Sequence, residues 1–482
     1  MGIALSSQNR AGAQKQRNAT FLRSIGSALG GKIGSSLIGV VTLGLIARNL
    51  EAEGLGQYRT TLTLLLFSGV LVDFGLYSIT LRDIAQSHVD TARTLGNAVA
   101  LRILTTLTAV VLLTLALSHW QIGSATWVGV ATAGVGWVAY QVNELLRAVF
   151  QLRVAQSFAA VAEMAGAGVT LLLVLIFASF HVGTNVMLVA TSTGFCCMGA
   201  LAWGFAKRLV PFRPRFDPAI WRQLLTDGVP LAASAILLTV HMRIDVLFLS
   251  LLRPAADVGL YDPPLKIYEL LSMLPNLLGG LMLPLFVGDL SKGGTLSRRL
   301  SAASATSIVF SGIVFGVVFQ CAEPILSLLV GEQFVVSGEP LRILVVSAAC
   351  AGLTAIFRFA AVALDQQARV LRADVLGVSV AIIAHIVLIP RYGLMGAAVG
   401  KLAGDLTTMV SVAVILRRNL DQGILVGAAA AALLALTLIE LLEIAFQVGI
   451  YWLIAAAVSV AATFGVALLI PPVRRDLVMI AR

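Results

Sequence analysis

The stretch HMRIDVLFLSLL, residues 241–252, is apolar enough to cross a bilayer yet carries Arg243 and Asp245 two residues apart. An ionised side chain at the centre of a membrane helix costs roughly 2.5–3.5 kcal/mol on insertion scales, so such residues are kept for pairing or for function. Whether this run is a span decides the fold, and its surroundings answer. Of 482 residues, 58% are hydrophobic and 12% charged, against about a quarter charged in soluble domains. The mean hydropathy is +0.93. This is the composition of a polytopic membrane protein. The net charge of +10 would also suit a nucleic-acid binder. Here, however, Lys and Arg fall in short breaks between apolar runs instead of forming one basic face, so no nucleic-acid partner is expected. Cys196, Cys197, Cys321 and Cys350 lie in or beside apolar runs without a C-x-x-C pair. Neither a disulfide framework nor a metal or cofactor site follows.

Cutting the chain where charge, Pro or Gly interrupts about 20 apolar residues gives fourteen spans. They cover 24–48, 60–81, 94–117, 123–147, 157–180, 184–206, 228–252, 262–288, 300–321, 341–364, 373–390, 394–416, 424–446 and 449–470. Residues 1–23 are basic and Ser/Gln-rich, and the run after them is too long for a signal-peptide core. With both termini cytoplasmic, the outer connections hold only Arg48, Arg59, Arg253 and Arg391, while the inner connections and tails hold the bulk of the Lys and Arg. That asymmetry sets the orientation. KRLVPFRPRFDPAIWR, 207–222, is the richest inner connection and reads as the linker between halves. EGLGQY at 53–58 and ADVGLY at 256–261 follow the first and seventh spans, so Gly56 and Tyr58 align with Gly259 and Tyr261. Read as a duplication, this gives an all-α integral membrane protein with two six-helix lobes. An even number of helices per half relates the lobes by a pseudo-twofold along the membrane normal. The expected organisation is a tail at 1–23, an N-lobe at 24–206, a basic linker at 207–227 and a C-lobe at 228–416. Two further helices follow at 424–470, with a tail at 471–482.

ARNLEAEGLGQY (47–58) leading into VDFGLYSITLRDIA (72–85) resembles the polysaccharide flippases of the multidrug/oligosaccharidyl-lipid/polysaccharide exporter superfamily. So do RIDVLFLSLL followed by VGLYDPPLKI (243–267), AEPILSLLVGEQF (322–334) and IPRYGLMGAAVGKLAGD (389–405), in that order. The resemblance implies two six-helix lobes facing a central cavity. It also implies movement of an undecaprenyl-pyrophosphate-linked oligosaccharide repeat unit, for exopolysaccharide or O-antigen synthesis, from the inner to the outer leaflet of the bacterial cytoplasmic membrane. Partners would be membrane lipids and polysaccharide polymerase and export proteins. A lipid II flippase and a multidrug exporter of the same superfamily are the alternatives within the class, although multidrug exporters usually stop at twelve helices.

The intramembrane charges allow a structural and a functional reading. Arg243 and Asp245 point about 200° apart on a helix and cannot satisfy each other. Lys266 and Glu269 share one face of the next helix. By depth, Asp245 can meet Lys266 and Arg243 can meet Glu269, two ion pairs stitching a hairpin. Alternatively some of these groups face a cavity and bind phosphate or sugar hydroxyls, where the planar Arg fork suits a pyrophosphate. The first half carries Lys32, Asp73, Arg102, Glu144 and Glu163, with Lys32–Asp73 as a local pair. Arg358 stands alone in the tenth span and is the foremost candidate for a cavity cation. The substrate-binding candidates are thus Arg358, Arg243, Lys266, Arg102 and Lys32, with Asp245, Glu269, Asp73 and Glu163 as structural or coupling carboxylates. Lys401 and Asp405, at i and i+4, are expected to pair together. His385 reads as a packing residue ahead of a proton relay.

Gly26, Gly30 and Gly34 form a small-residue face for close packing, and Pro275 and Pro284 interrupt the hydrogen bonding of the eighth span. A membrane-embedded glycan polymerase or ligase would share the composition, but it needs an outer loop with polar catalytic groups. The longest outer connection, 322–340, offers Glu323, Glu332 and Glu339 with no His. No catalytic residue is assigned. No P-loop is present, so transport would be secondary or driven by downhill lipid flow.

Overall fold

The computed structural model describes residues 2–73, 75–85, 90–119, 124–180, 182–291 and 296–419. The expected spans 424–446 and 449–470 and the tail at 471–482 lie outside them. Among the described residues every regular element is helical, and eight helices are long and apolar enough to cross a membrane. The chain is a multi-pass membrane protein. Contacts divide it into two units, Met1–Ile236 and Leu237–Arg482, with the boundary inside one helix.

The first unit holds α1 (Gly2–Asp73), α2 (Leu76–Ala85), α3 (Thr91–His119), α4 (Ser124–Leu152), α5 (Gln156–Ala178), α6 (Thr184–Leu209) and the start of α7 (Pro218–Leu252). Helix α1 contains the expected first span and most of the second, joined across a kink at Glu51 (φ 57°). The second span does not run unbroken to residue 81. Its helix ends at Asp73, Gly75 turns left-handed at φ 68°, and α2 starts at Leu76. Glycine takes that torsion at no steric cost, whereas a residue with a Cβ, such as Glu51, is strained there.

The linker after α6 is tied down rather than loose. Phe212 is buried, the Arg215 amide donates to the Gly96 carbonyl (3.2 Å), and the Asp217 amide donates to Asn97 Oδ1 (2.8 Å). The hydrogen bond from Arg93 (2.5 Å) holds the Asp217 carboxyl below the usual carboxylate range. The attraction in this strap is therefore present above the ordinary Asp pKa and is lost as pH falls through the lowered one.

The second unit holds the rest of α7, α8 (Ala255–Ser291), α9 (Ser297–Val330), a short 3-10 turn (Glu332–Ser337), α10 (Gly338–Ala363) and α11 (Gln367–Leu416). The eleventh and twelfth expected spans are continuous in α11 except for Gly393, at φ 53°. The torsion favours glycine, and a Cβ there would press on the Arg253 and Asp257 side-chain ends at 3.2 and 3.3 Å. In α9 the torsions depart from helical at Cys321, three residues before Pro324, whose ring crowds the preceding turn. Helix α8 stays helical through Pro263, Pro264, Pro275 and Pro284.

Small residues let helices approach closely, the usual substitute for a hydrophobic driving force between helices in lipid. A Cβ on Gly166 of α5 would meet the Gly194 carbonyl of α6 at 2.8 Å, and one on Gly194 would meet the Gly166 carbonyl at 2.7 Å. In α1 the packed glycine is not the expected Gly30, which faces open space, but Gly31, where a Cβ would lie 2.3 Å from the Ala160 Cβ of α5. Gly34 faces the Met164 methyl at 3.5 Å, and the surroundings of Gly26 lie outside the described residues. The contact face is rotated by one residue because α5 meets the Gly31–Gly34 edge. Gly31→Leu should therefore destabilise the protein by about 1–3 kcal/mol, the usual cost of overpacking, while Gly30→Leu is tolerated. Thermal unfolding of the two variants in detergent checks the difference.

Candidate functional site

Each unit contains a cavity bordered by charged side chains. In the second unit, a cavity of about 340 Å³ is lined by His241 of α7, Tyr268 and Glu269 of α8, Arg358 of α10 and Asp405 of α11, among apolar neighbours. A fully enclosed polar network lies against it. Asp405 accepts from Tyr268 Oη (2.9 Å) and Ser347 Oγ (2.5 Å) and contacts His241 Nε2 (2.9 Å). Asp245 accepts from Tyr261 Oη and the Val246 amide, both at 2.9 Å, and pairs with Lys401 Nζ at 3.7 Å. The Lys401 ammonium also lies 4.7 Å from the centroid of the Tyr268 ring, a cation–π contact linking the two carboxylate groups. Asp245, Asp405, Lys401, Tyr261 and Tyr268 are all at most 3% exposed. Each buried ion would cost several kcal/mol alone, so the three donors around each carboxylate are what keep the set in place.

Two expected pairings are thereby corrected. Asp245 meets Lys401 and Tyr261 rather than Lys266, because Lys266 sits beside Glu269 on its own helix (3.1 Å). Lys401 and Asp405 do not pair with each other: the first reaches Asp245 and the second reaches α7, α8 and α10. Interhelical partners at the right depth outcompete the i,i+4 contact, which is worth only about 0.2–0.5 kcal/mol. The expected Arg243–Glu269 pair is present.

Arg358 is not alone either. Asp374 of α11 accepts from both of its terminal nitrogens, Oδ2 at 3.0 Å and Oδ1 at 2.6 Å, the two-pronged geometry a guanidinium makes with a carboxylate. His385 is buried and its Nε2 donates to the Ala397 carbonyl at 3.2 Å, a packing role.

In the first unit, a cavity of about 200 Å³ is bordered by Lys32, Tyr140, Glu144, Arg147 and Glu163. Lys32 lies 3.9 Å from Glu163, which Arg147 also approaches at 3.6 Å while holding Glu144 at 3.2 Å. The expected Lys32–Asp73 pair does not form. Asp73 sits at the end of α1 against the buried Arg102 of α3, at 2.6 Å. Arg102 lies away from this cavity lining and also reaches the Gln141 side chain and carbonyl.

Sequence reasoning missed His241, Tyr261, Tyr268, Ser347, Asp374 and Arg147. One signal was available. Asp245–Tyr261 and Arg358–Asp374 are each sixteen residues apart, placed equally about a tight helix–helix connection. Counting outward from such a turn finds partners at equal depth.

Solved structures share this all-helical fold. The solved structure of the lipid II flippase MurJ in an inward closed conformation superposes with a TM-score of 0.79 at 12% identity, covering 94% of this chain and 99% of that one. The eukaryotic MATE transporter AtDTX14 gives 0.58 at 17% identity, covering 83% and 96%. A MOP-superfamily transporter from Pyrococcus furiosus gives 0.56 at 13%, covering 83% and 95%. No curated protein matches the sequence. Residues 21–288 match the family described as polysaccharide biosynthesis protein, and the chain belongs to that family.

Proposed function

We propose that this protein is a flippase that moves undecaprenyl-pyrophosphate-linked oligosaccharide repeat units from the inner to the outer leaflet of the bacterial cytoplasmic membrane. It works by alternating access of two six-helix lobes, N-lobe 24–206 and C-lobe 228–416, with both termini cytoplasmic. It is not an enzyme. Membership of the polysaccharide biosynthesis family supports a glycan-linked substrate. The observation that carries the reading is the cation border of the cavities: Arg358, with Arg243 and Lys266 bridged through Glu269 close by, in the second unit, and Lys32 with Arg147 in the first. Guanidinium groups bind phosphate oxygens in pairs, and a carboxylate partner such as Asp374 holds the fork ready. Arg102 and Asp73 act together as a structural pair, and the carboxylates Asp245, Glu269 and Glu163 hold or neutralise the cations.

A second reading, flipping of lipid II, is favoured by the likeness to MurJ, whose TM-score exceeds that of the MATE transporters. Deleting the gene and analysing lipid-linked intermediates by mass spectrometry decides between them. A complete repeat unit accumulating on the cytoplasmic face is expected. Accumulation of lipid II would transfer the function to the second reading, and translocated but unpolymerised units would point to a polymerase.

A further inference from the structure

We infer that the strap between α6 and α7, with the first turn of α7 (residues 210–222), is a fixed docking surface for the headgroups of anionic phospholipids, an inference that rests on the reading above only for its cytoplasmic leaflet. The backbone of this segment is held so firmly that its side chains have set places. Val210 and Phe212 are buried, and Phe212 meets the Trp203 ring of α6 edge-on at 5.0 Å. The chain then crosses α3 at Gly96, where a Cβ would lie 2.1 Å from the Arg213 carbonyl oxygen. Beyond that crossing the Arg215 and Asp217 amides are bonded to Gly96 and Asn97. With the backbone committed to α3, Arg213, Pro214, Arg215 and Phe216 are all exposed, Phe216 to 70%. Trp221, in the first turn of α7, sets its ring against Phe216 at 4.5 Å and 75°.

The charge on this surface is left over. Arg208, Arg213, Arg215 and Arg222 are exposed, and among the described residues none of their side chains makes a salt bridge or hydrogen bond. The carboxylates at this end of the unit are already engaged. Arg93 holds Asp217 and Arg82 holds Asp227, while Asp90 accepts the Ala92 and Arg93 amides at the start of α3. What stays unanswered is a positive patch beside an aromatic pair. Guanidinium groups take phosphate oxygens, and aromatic rings settle at the level of lipid headgroups.

The depth is that of the headgroups. Helix α6 has 26 residues and is therefore about 39 Å long, against a hydrocarbon core of about 30 Å. Its last turn, with Lys207 and Arg208, reaches the headgroup layer, and the strap continues from it in the same layer. An acidic protein would have to approach through that layer, whereas phospholipid phosphates already occupy it. Anionic lipids give the cytoplasmic leaflet a negative surface potential that attracts Lys and Arg within a Debye length. Phosphates bound by Arg213 and Arg215 press the strap onto α3 and so brace the start of α7.

The test is hydrogen exchange of the full chain in nanodiscs of phosphatidylcholine and in nanodiscs of equal parts phosphatidylcholine and phosphatidylglycerol. The Arg215 and Asp217 amides should exchange about threefold more slowly, or slower still, in the mixed bilayer, because bound lipid lowers the population of detached strap. Raising the salt to about 1 M, where the Debye length is about 3 Å, should erase the difference. The triple variant Arg213→Gln, Arg215→Gln, Arg222→Gln should exchange at one rate in both bilayers. Equal exchange of the parent in the two bilayers, or a difference that persists in the triple variant or in high salt, overturns the surface. Inorganic phosphate added to phosphatidylcholine nanodiscs should change nothing, and slowing by phosphate alone would overturn the lipid assignment. Native mass spectrometry should find fewer phosphatidylglycerol molecules retained by Gly96→Ala, which keeps every cation but lifts the strap from α3. Retention equal to the parent's would mean that a loose basic segment suffices and would overturn the fixed surface. Should the triple variant fail to fold, the salt and phosphate arms on the unaltered protein decide. Nanodiscs carry phosphatidylglycerol in both leaflets, so none of these results depends on orientation or transport. A reporter fused after Arg208 that reads the outer side would overturn the cytoplasmic placement alone and leave the lipid contact standing.

Discussion

Lys401→Met will fail to accumulate as a folded protein. The substitution leaves Asp245, which is fully buried, with only the Tyr261 hydroxyl and the Val246 amide. Removing one partner of a buried pair costs about 3–5 kcal/mol, a large share of a typical folding free energy. Pairing the change with Asp245→Asn removes the stranded charge, so the double variant should regain most of the lost stability. The interaction energy in the double-mutant cycle should exceed about 1 kcal/mol. Lys266→Met serves as the comparison. Its partner Glu269 keeps Arg243, and the site is partly exposed, so a loss below about 1 kcal/mol is expected. Detergent melting curves and membrane abundance measure all four. Equal losses for Lys401→Met and Lys266→Met would refute the assignment of Asp245 to Lys401.

The second large effect concerns transport. Arg358 borders the cavity with its side chain 30% exposed and is clasped by Asp374. Its charge can therefore serve structure, substrate or both. Arg358→Glu is a poor probe, because it sets two carboxylates against each other and unfolding alone would explain the result. The neutral pair Arg358→Gln with Asp374→Asn removes both charges while keeping shape and hydrogen-bonding capacity. If the guanidinium receives the substrate's pyrophosphate, this double variant should reach membrane abundance within about twofold of the parent and lose export by tenfold or more, about 1.4 kcal/mol in the transport step. Arg358→Lys should keep the charge but lose the paired geometry, and so fall in between. Full export by the double variant would restrict Arg358 to a structural role.

The helices and the membrane class were legible because hydropathy and helix breakers act along the chain. ARNLEAEGLGQY covers the kink at Glu51 in α1, and the Arg243–Glu269 pair followed from depth alone. Lys401 was misassigned for a different reason. Its partner Asp245 is far away in sequence, and which helix faces which depends on packing that no local pattern encodes. Arg358 seemed isolated because Asp374 stands at the head of the next helix, although equal distance from the shared turn would have paired them. Gly31 displaced Gly30 at the α1–α5 contact because rotational phase is set by the neighbour, Ala160, rather than by the glycine spacing.

Helix α8 carries four prolines, and each leaves the carbonyl four residues earlier, at Gly259, Leu260, Leu271 and Gly280, without its usual intrahelical donor. Mechanically the helix is a rod with missing struts at both ends of the segment that bears Tyr268 and Glu269. A load applied at that segment is not spread evenly along the rod. It concentrates at the weakened turns, including the stretch between Leu271 and Pro284, where Pro275 packs closely on Gly352 of α10. The residues of α8 that touch the charged network therefore sit on a fully hydrogen-bonded stretch flanked on both sides by turns that lack a strut.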